Sequence, residues 1–153
     1  MSLRPAAAAA RLAALAGLVL AGCATSEPPP VPESCPATLA FVKPRLVTPY
    51  DRLASFIGPA ELEHTFTQPV DEMIANSGGL VPAILSGERT VKEYQGILAH
   101  EAETRAEYRS LGKDDAWIDL YLSSVADGVT INQGFVDAVK CRQRQQTQQM
   151  SSP

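Results

Sequence analysis

Histidine is scarce in this chain, with two among 153 residues, His64 and His100. Metal binding and acid–base catalysis near neutral pH draw heavily on imidazole, so the scarcity narrows the chemistry at once. Glu61-Leu62-Glu63-His64 contains a Glu-x-x-His, the helical spacing of ferritin-like di-metal bundles, but those carry a second such pair and two further carboxylates. Here the second pair is missing, and His100 is followed by its nearest carboxylate, Glu101, rather than preceded by one. No Gly-rich phosphate loop, His-Glu-x-x-His, Cys-x-x-Cys or Gly-x-Ser-x-Gly occurs. Neither histidine has the nucleophile and orienting acid beside it that a hydrolytic triad needs. The inventory argues against an enzyme and calls for no metal or cofactor.

Positive charge is also in short supply. Thirteen Lys and Arg face seventeen Asp and Glu, for a net charge of −4. An acidic chain without a basic cluster makes a poor electrostatic partner for nucleic acid or anionic lipid headgroups. Alternating β-branched runs are absent as well, which excludes a sheet and predicts an all-α fold. The one long apolar stretch, near the N-terminus, is too short to span a bilayer.

What is present is a series of turn signals separating helical segments. Pro36 to Val42 is predicted as a short helix, stopped before Pro44 because the residue preceding a proline disfavours the α region. Thr48-Pro49 reads as a cap and a first-turn proline, with Gly58 closing the helix. Pro59 and Pro69 predict helices near 59–66 and 69–76. Asn76-Ser77-Gly78-Gly79 breaks the chain, residues 81–86 form a turn or two, and Ser86-Gly87 reads as turn chemistry. Thr90-Val91-Lys92-Glu93 matches a capping box, opening a helix to Leu111 that stops at Gly112. Asp114 or Asp115 opens another to about Arg142, with Gly128 and Gly134 as soft points inside. The expected architecture is a small helical bundle with a long C-terminal antiparallel hairpin and shorter N-terminal helices. Residues 35–142 form the domain, and the Gln-rich 143–153 is expected to be a disordered tail.

Helical projection of the hairpin gives two apolar stripes. One comprises Val91, Tyr94, Ile97, Leu98, Ala102 and Tyr108. The other comprises Trp117, Ile118, Tyr121, Val125, Gly128, Val129, Phe135, Val136 and Val139, with Asn132 near its centre. Glu101 and Arg105 break the first stripe at i,i+4, the favourable order for an ion pair. Pairing outward from Gly112 sets Arg105 toward Tyr121, Glu101 toward Val125, Tyr94 toward Asn132 and Gly128 against Leu98. Tyr94, Glu101, Arg105 and Asn132 therefore read either as a satisfied polar layer setting helix register, or as the lining of a pocket for a ligand or partner side chain.

One N-terminal run carries a resemblance. Leu20-Ala21-Gly22-Cys23 closes an apolar stretch from Leu12, behind Arg4 and Arg11, and resembles the lipobox of bacterial lipoproteins. That resemblance implies cleavage of a signal peptide, residues 1–22, and lipidation of Cys23. The mature chain would lose two arginines and carry −6. Its anchor would be acyl chains, each buried methylene contributing about 0.8 kcal/mol. Residues 23–34, with four prolines, then form a lipidated cysteine and a polyproline-like tether reaching on the order of 30 Å. Ala24 after the cysteine implies forwarding to the outer membrane, facing the periplasm. Export to an oxidising compartment leaves Cys35 and Cys141 as the expected disulfide, which chain-entropy models value at roughly 4–5 kcal/mol for so long a loop. The expected role is a non-enzymatic adaptor or assembly module with an envelope protein as partner and no nucleic acid. Two alternatives stand beside it: an inhibitor or immunity-type lipoprotein blocking a periplasmic enzyme, and a helical module for a small ligand or metal.

Overall fold

Proline and glycine set the boundaries of the N-terminal half. In a computed structural model describing residues 34–151, a 3₁₀ helix over Leu39–Arg45 is followed by α1 (Tyr50–Ile57), α2 (Pro59–Thr67) and α3 (Val70–Asn76). The signal-peptide, lipidation and most of the tether assignments, Cys23 included, lie outside the described residues. Gly58, at φ 111°, ends α1 and precedes Pro59 at the start of α2. Gly78 and Gly79, at φ 86° and 120°, turn the chain after α3. Such conformations are costly for residues with a Cβ, which is why glycine stands at each.

The expected helix over Pro36–Val42 is instead the 3₁₀ segment, and it runs through Pro44. Near the end of a short 3₁₀ segment, the missing proline N–H removes only one bond.

The C-terminal half is α4 (Leu80–Ala99), α5 (Glu101–Ser110) and α6 (Asp115–Ser151). The all-α expectation holds: among the described residues there is no strand. Boundaries differ in three places. First, α4 begins ten residues ahead of the expected capping box. Thr90 lies inside it, with its hydroxyl donating to the Ser86 carbonyl at 3.1 Å rather than capping. Ser86-Gly87 is helix interior, because Gly87 is where α4 crosses α6: a Cβ there would stand 2.6 Å from Val136 Cγ2.

Second, the helix expected from Thr90 to Leu111 breaks at His100, whose backbone sits at φ −111°, ψ 40°. Its Nδ1 lies 2.9 Å from the Gly96 carbonyl, and its amide is shared between Gly96 and Ile97 carbonyls at 3.2 Å each. Third, residues 143–151 do not fray but continue α6. Gln, Arg and Met are good helix formers, and extension of an existing helix avoids the nucleation cost. Asp114 opens α6, its carboxylate accepting the Trp117 amide at 2.8 Å.

Helix α6 packs most extensively on α4, antiparallel to it across the Gly112 turn, and also against the 3₁₀ segment, α3 and α5. It is therefore buried on two sides. Phe66, Leu39, Leu53, Leu62, Val42 and Val70 from the N-terminal elements meet Ala83, Ala138 and Val139 in one core. Cys35 and Cys141 form a disulfide with Cα atoms 5.7 Å apart, tying the start of the domain to α6.

Candidate functional site

The four polar residues of the hairpin separate into two places. Tyr94 of α4 and Asn132 of α6 line one groove of about 380 Å³, with buried Leu53 of α1 in its wall, Phe56 and Ile57 of α1 on its rim and Tyr121 on α6. Gly128 is its floor. A Cβ there would come within 2.5 Å of the Tyr94 ring, so the glycine lets Tyr94, rather than the expected Leu98, lie flat against α6. Asn132 commits its Nδ2 to the Gly128 carbonyl at 2.8 Å. A second hollow of about 380 Å³ shares Ile131 and Asn132 with the first and carries His64, Met73 and Phe135. Asn132 thus stands where the two hollows meet.

At one end of the groove the aromatic residues gather. Trp117 and Tyr121, one turn apart on α6, stack with centroids 5.6 Å apart and planes 4° from parallel. Tyr108 of α5 packs on both, and Phe56 meets the Trp117 edge at 6.0 Å. Lys113 places its ammonium 4.7 Å from the Trp117 ring centroid. The Tyr108 phenol beside it, and then burial, push the Tyr121 hydroxyl up to about 12.

Glu101 and Arg105 lie outside the groove. They do pair, at 2.7 Å, but a third residue joins them: Asp119 of α6 accepts from Arg105 Nη2 at 2.7 Å. The guanidinium is 26 % exposed and the two carboxylates more than half exposed, so this is a surface clasp between α5 and α6, not a buried layer. The two acceptors, Glu101 first, hold Arg105 more firmly protonated. The break at His100 rotates α5 out of register with α4, which carries Arg105 to Asp119 rather than to Tyr121.

The segment around Glu-x-x-His is spent locally. Tyr50 donates to Glu63 Oε2 at 2.5 Å, and the Lys43 ammonium, 3.4 Å from the same oxygen, sits 3.9 Å over the Tyr50 ring. The Tyr50 hydrogen bond, then Lys43, draw the Glu63 carboxyl below its ordinary range. Among the described residues no three of His, Cys, Asp and Glu gather as metal ligands would. No described helix is long and apolar enough to cross a membrane.

Sequence reasoning missed Asp127. It is fully buried on α6, and its carboxylate accepts the amides of Val47 at 2.6 Å and Thr48 at 3.2 Å. Its side of α6 faces the loop before α1, outside the hairpin stripe. One signal was available: Asp127 is the only charged residue between Asp119 and Asp137.

No family model matches the chain, and neither does any curated protein or solved structure. The site has to be read from its own geometry. It offers an aromatic-rimmed groove with amide and phenol groups inside, whose one charged lining residue, Asp127, is engaged with the Val47 and Thr48 amides.

Proposed function

We propose that this chain is a lipid-anchored envelope protein facing the periplasm, whose helical domain is a non-enzymatic adaptor held out from the membrane on a proline-rich tether. The observation that carries the reading is the Cys35–Cys141 disulfide, which belongs to an oxidising compartment and begins twelve residues after the lipobox-like Cys23. The recognition surface is the groove of Tyr94 and Asn132, with Phe56 and Ile57 on its rim at 37 % and 39 % exposure. Aromatic and aliphatic side chains around a concave site are the usual anchors of a protein contact.

The anchor is tested by palmitate labelling and fractionation of the Cys23→Ser variant. Loss of both the label and membrane association supports the reading; a processed, labelled, membrane-bound variant refutes it. Non-reducing peptide maps of periplasmic protein should show Cys35 linked to Cys141, and two alkylatable thiols would count against export. The adaptor role is tested by photo-crosslinkers placed at Phe56 and at the remote Arg89. A discrete adduct with one envelope protein from position 56 alone supports it. Folded protein that gives no adduct from the groove would remove the groove as a docking site.

A further inference from the structure

The second hollow, of about 380 Å³, lies between the end of α2, α3 and the middle of α6, and the adaptor groove does not account for it. Met73, Ile131 and Phe135, all half-buried, give it an apolar lining. Asn76 and His64 stand exposed in the same lining, and their side chains take no part in a hydrogen bond among the described residues. No carboxylate lines the hollow. Apolar side chains set beside uncommitted N–H donors suit a ligand rich in carbonyls and poor in N–H groups. Proline-rich chain has that character. Each proline keeps its carbonyl, lacks the amide proton and is held near the polyproline II conformation before it binds.

This chain carries such a segment, Pro28-Pro29-Pro30-Val31-Pro32, ahead of the described residues. The disulfide fixes where it starts, because it holds the Cys35 and Cys141 Cα atoms 5.7 Å apart. Pro32 and Pro28 precede Cys35 by three and seven residues, about 9 and about 22 Å of polyproline II. Phe135 and Ile131 precede Cys141 by six and ten residues, about 9 and about 15 Å along α6. The two spans match, and the described chain begins in a bend at Ser34. Tyr121, at the aromatic end of the groove, lies twenty residues before Cys141, about 30 Å away, so the proline run cannot lie across it. We infer that residues 28–32 dock in the hollow of their own chain, prolines against Met73, Ile131 and Phe135 and carbonyls toward Asn76 and His64. Attachment to the same domain gives the segment an effective concentration of about millimolar, which favours it over the same segment of another copy. Docking leaves residues 23–27 as the spacer, about 15 Å in place of about 30 Å, and sets the segment beside Asn132, which the groove shares. That consequence rests on the proposed anchor and groove; the docking itself rests on neither.

The test compares the full chain in detergent, methyl-labelled at methionine, with a variant combining Pro28→Ser, Pro29→Ser, Pro30→Ser and Pro32→Ser. The variant keeps the length of the segment and removes its polyproline character. The expected result is a Met73 methyl signal displaced in the parent chain relative to the variant, at a position that does not change on dilution. A photo-crosslinker at Val31, irradiated in intact cells, should join residues 73–77 or 131–135 of the same chain, in a yield at least about threefold higher with the prolines present. Asn76→Ala should lower that yield about threefold, the worth of one hydrogen bond, whereas Gln95→Ala, an exposed amide on α4, should leave it unchanged. An unchanged Met73 signal, or equal yields from the proline and serine chains, overturns the docking. Adducts that join two copies, or the chain to another envelope protein, overturn it in favour of those occupants.

Discussion

The carboxylate of Asp127 accepts the amide of Val47 at 2.6 Å across 80 residues of chain, and among the described residues no other side-chain hydrogen bond ties the loop before α1 to α6. The same carboxylate takes the amide of buried Thr48, so a single buried acid satisfies two backbone donors of this loop. Because Thr48-Pro49 leads directly into α1, Asp127 also sets where that helix begins relative to the core.

Asp127→Ala should therefore be among the most damaging single changes in the domain. The buried Thr48 amide left stranded, at about 1–3 kcal/mol, and a smaller loss at the Val47 amide, which belongs to an exposed residue, imply a loss of roughly 1–4 kcal/mol. Asp127→Asn keeps one acceptor oxygen and should lose less than half as much. Urea midpoints of the three proteins decide the matter, and losses below about 0.5 kcal/mol in both variants would show that the loop is held by its apolar contacts instead.

Gly128 and Tyr94 form a coupled pair. Gly128→Ala improves helix propensity by about 1 kcal/mol but drives a methyl into the Tyr94 ring, so a net loss of about 1–2 kcal/mol is expected. With Tyr94→Ala already in place, the same substitution should become neutral or stabilising. A double-mutant cycle measured by thermal unfolding reads the sign change directly. The photo-crosslink from position 56 should weaken in Gly128→Ala as well, since Tyr94 can no longer lie in the groove wall.

Arg105 should behave as a surface clasp. With both carboxylates largely exposed, single replacements of Glu101, Arg105 or Asp119 by Leu should cost little, and their couplings should fade as salt is added. A coupling that persists undiminished in molar salt would mean that the clasp is more deeply desolvated than its exposure implies.

Tyr121 makes stability sensitive to high pH. Its hydroxyl ionises at about 12 in the folded protein against 10.0 when unperturbed. Below pH 10 neither state has lost the proton and the contribution is intact. Above that, the unfolded chain releases a proton that the native state retains, so stability falls as pH rises toward 12. Phenolate absorbance should show this tyrosine titrating late, and Tyr108→Phe should bring it back toward 10. Titration of Tyr121 with the unperturbed value would refute the contact with Tyr108 as the cause.

Much of the helical plan was legible locally. Pro59, Pro69, Gly58 and the Asn76–Gly79 break delimit α1 to α3 because capping and φ preferences act within one turn of the residue that carries them. Asp114 opens α6 for the same reason. The bond between Cys35 and Cys141 was expected from an even count and from the export that the lipobox resemblance implies. Local rules failed where a distant element intervened. Ser86-Gly87 has turn chemistry, yet it lies in a helix because Val136 of α6 needs the space a side chain would fill.

Glu101 and Arg105 have ion-pair spacing, and they do pair. Whether they lay in the core depended on the break at His100, which redirects α5 toward Asp119. Tyr94 and Asn132 were placed on facing helices by periodicity, but the groove they share also needs Phe56 and Ile57 from α1. Asp127 shows the division most plainly. Composition and spacing determine which segments are helical and which face of each is apolar. They do not determine that α6 is buried on a second face, because that burial comes from a loop 80 residues away, and only the packed structure brings the acid to its two amides.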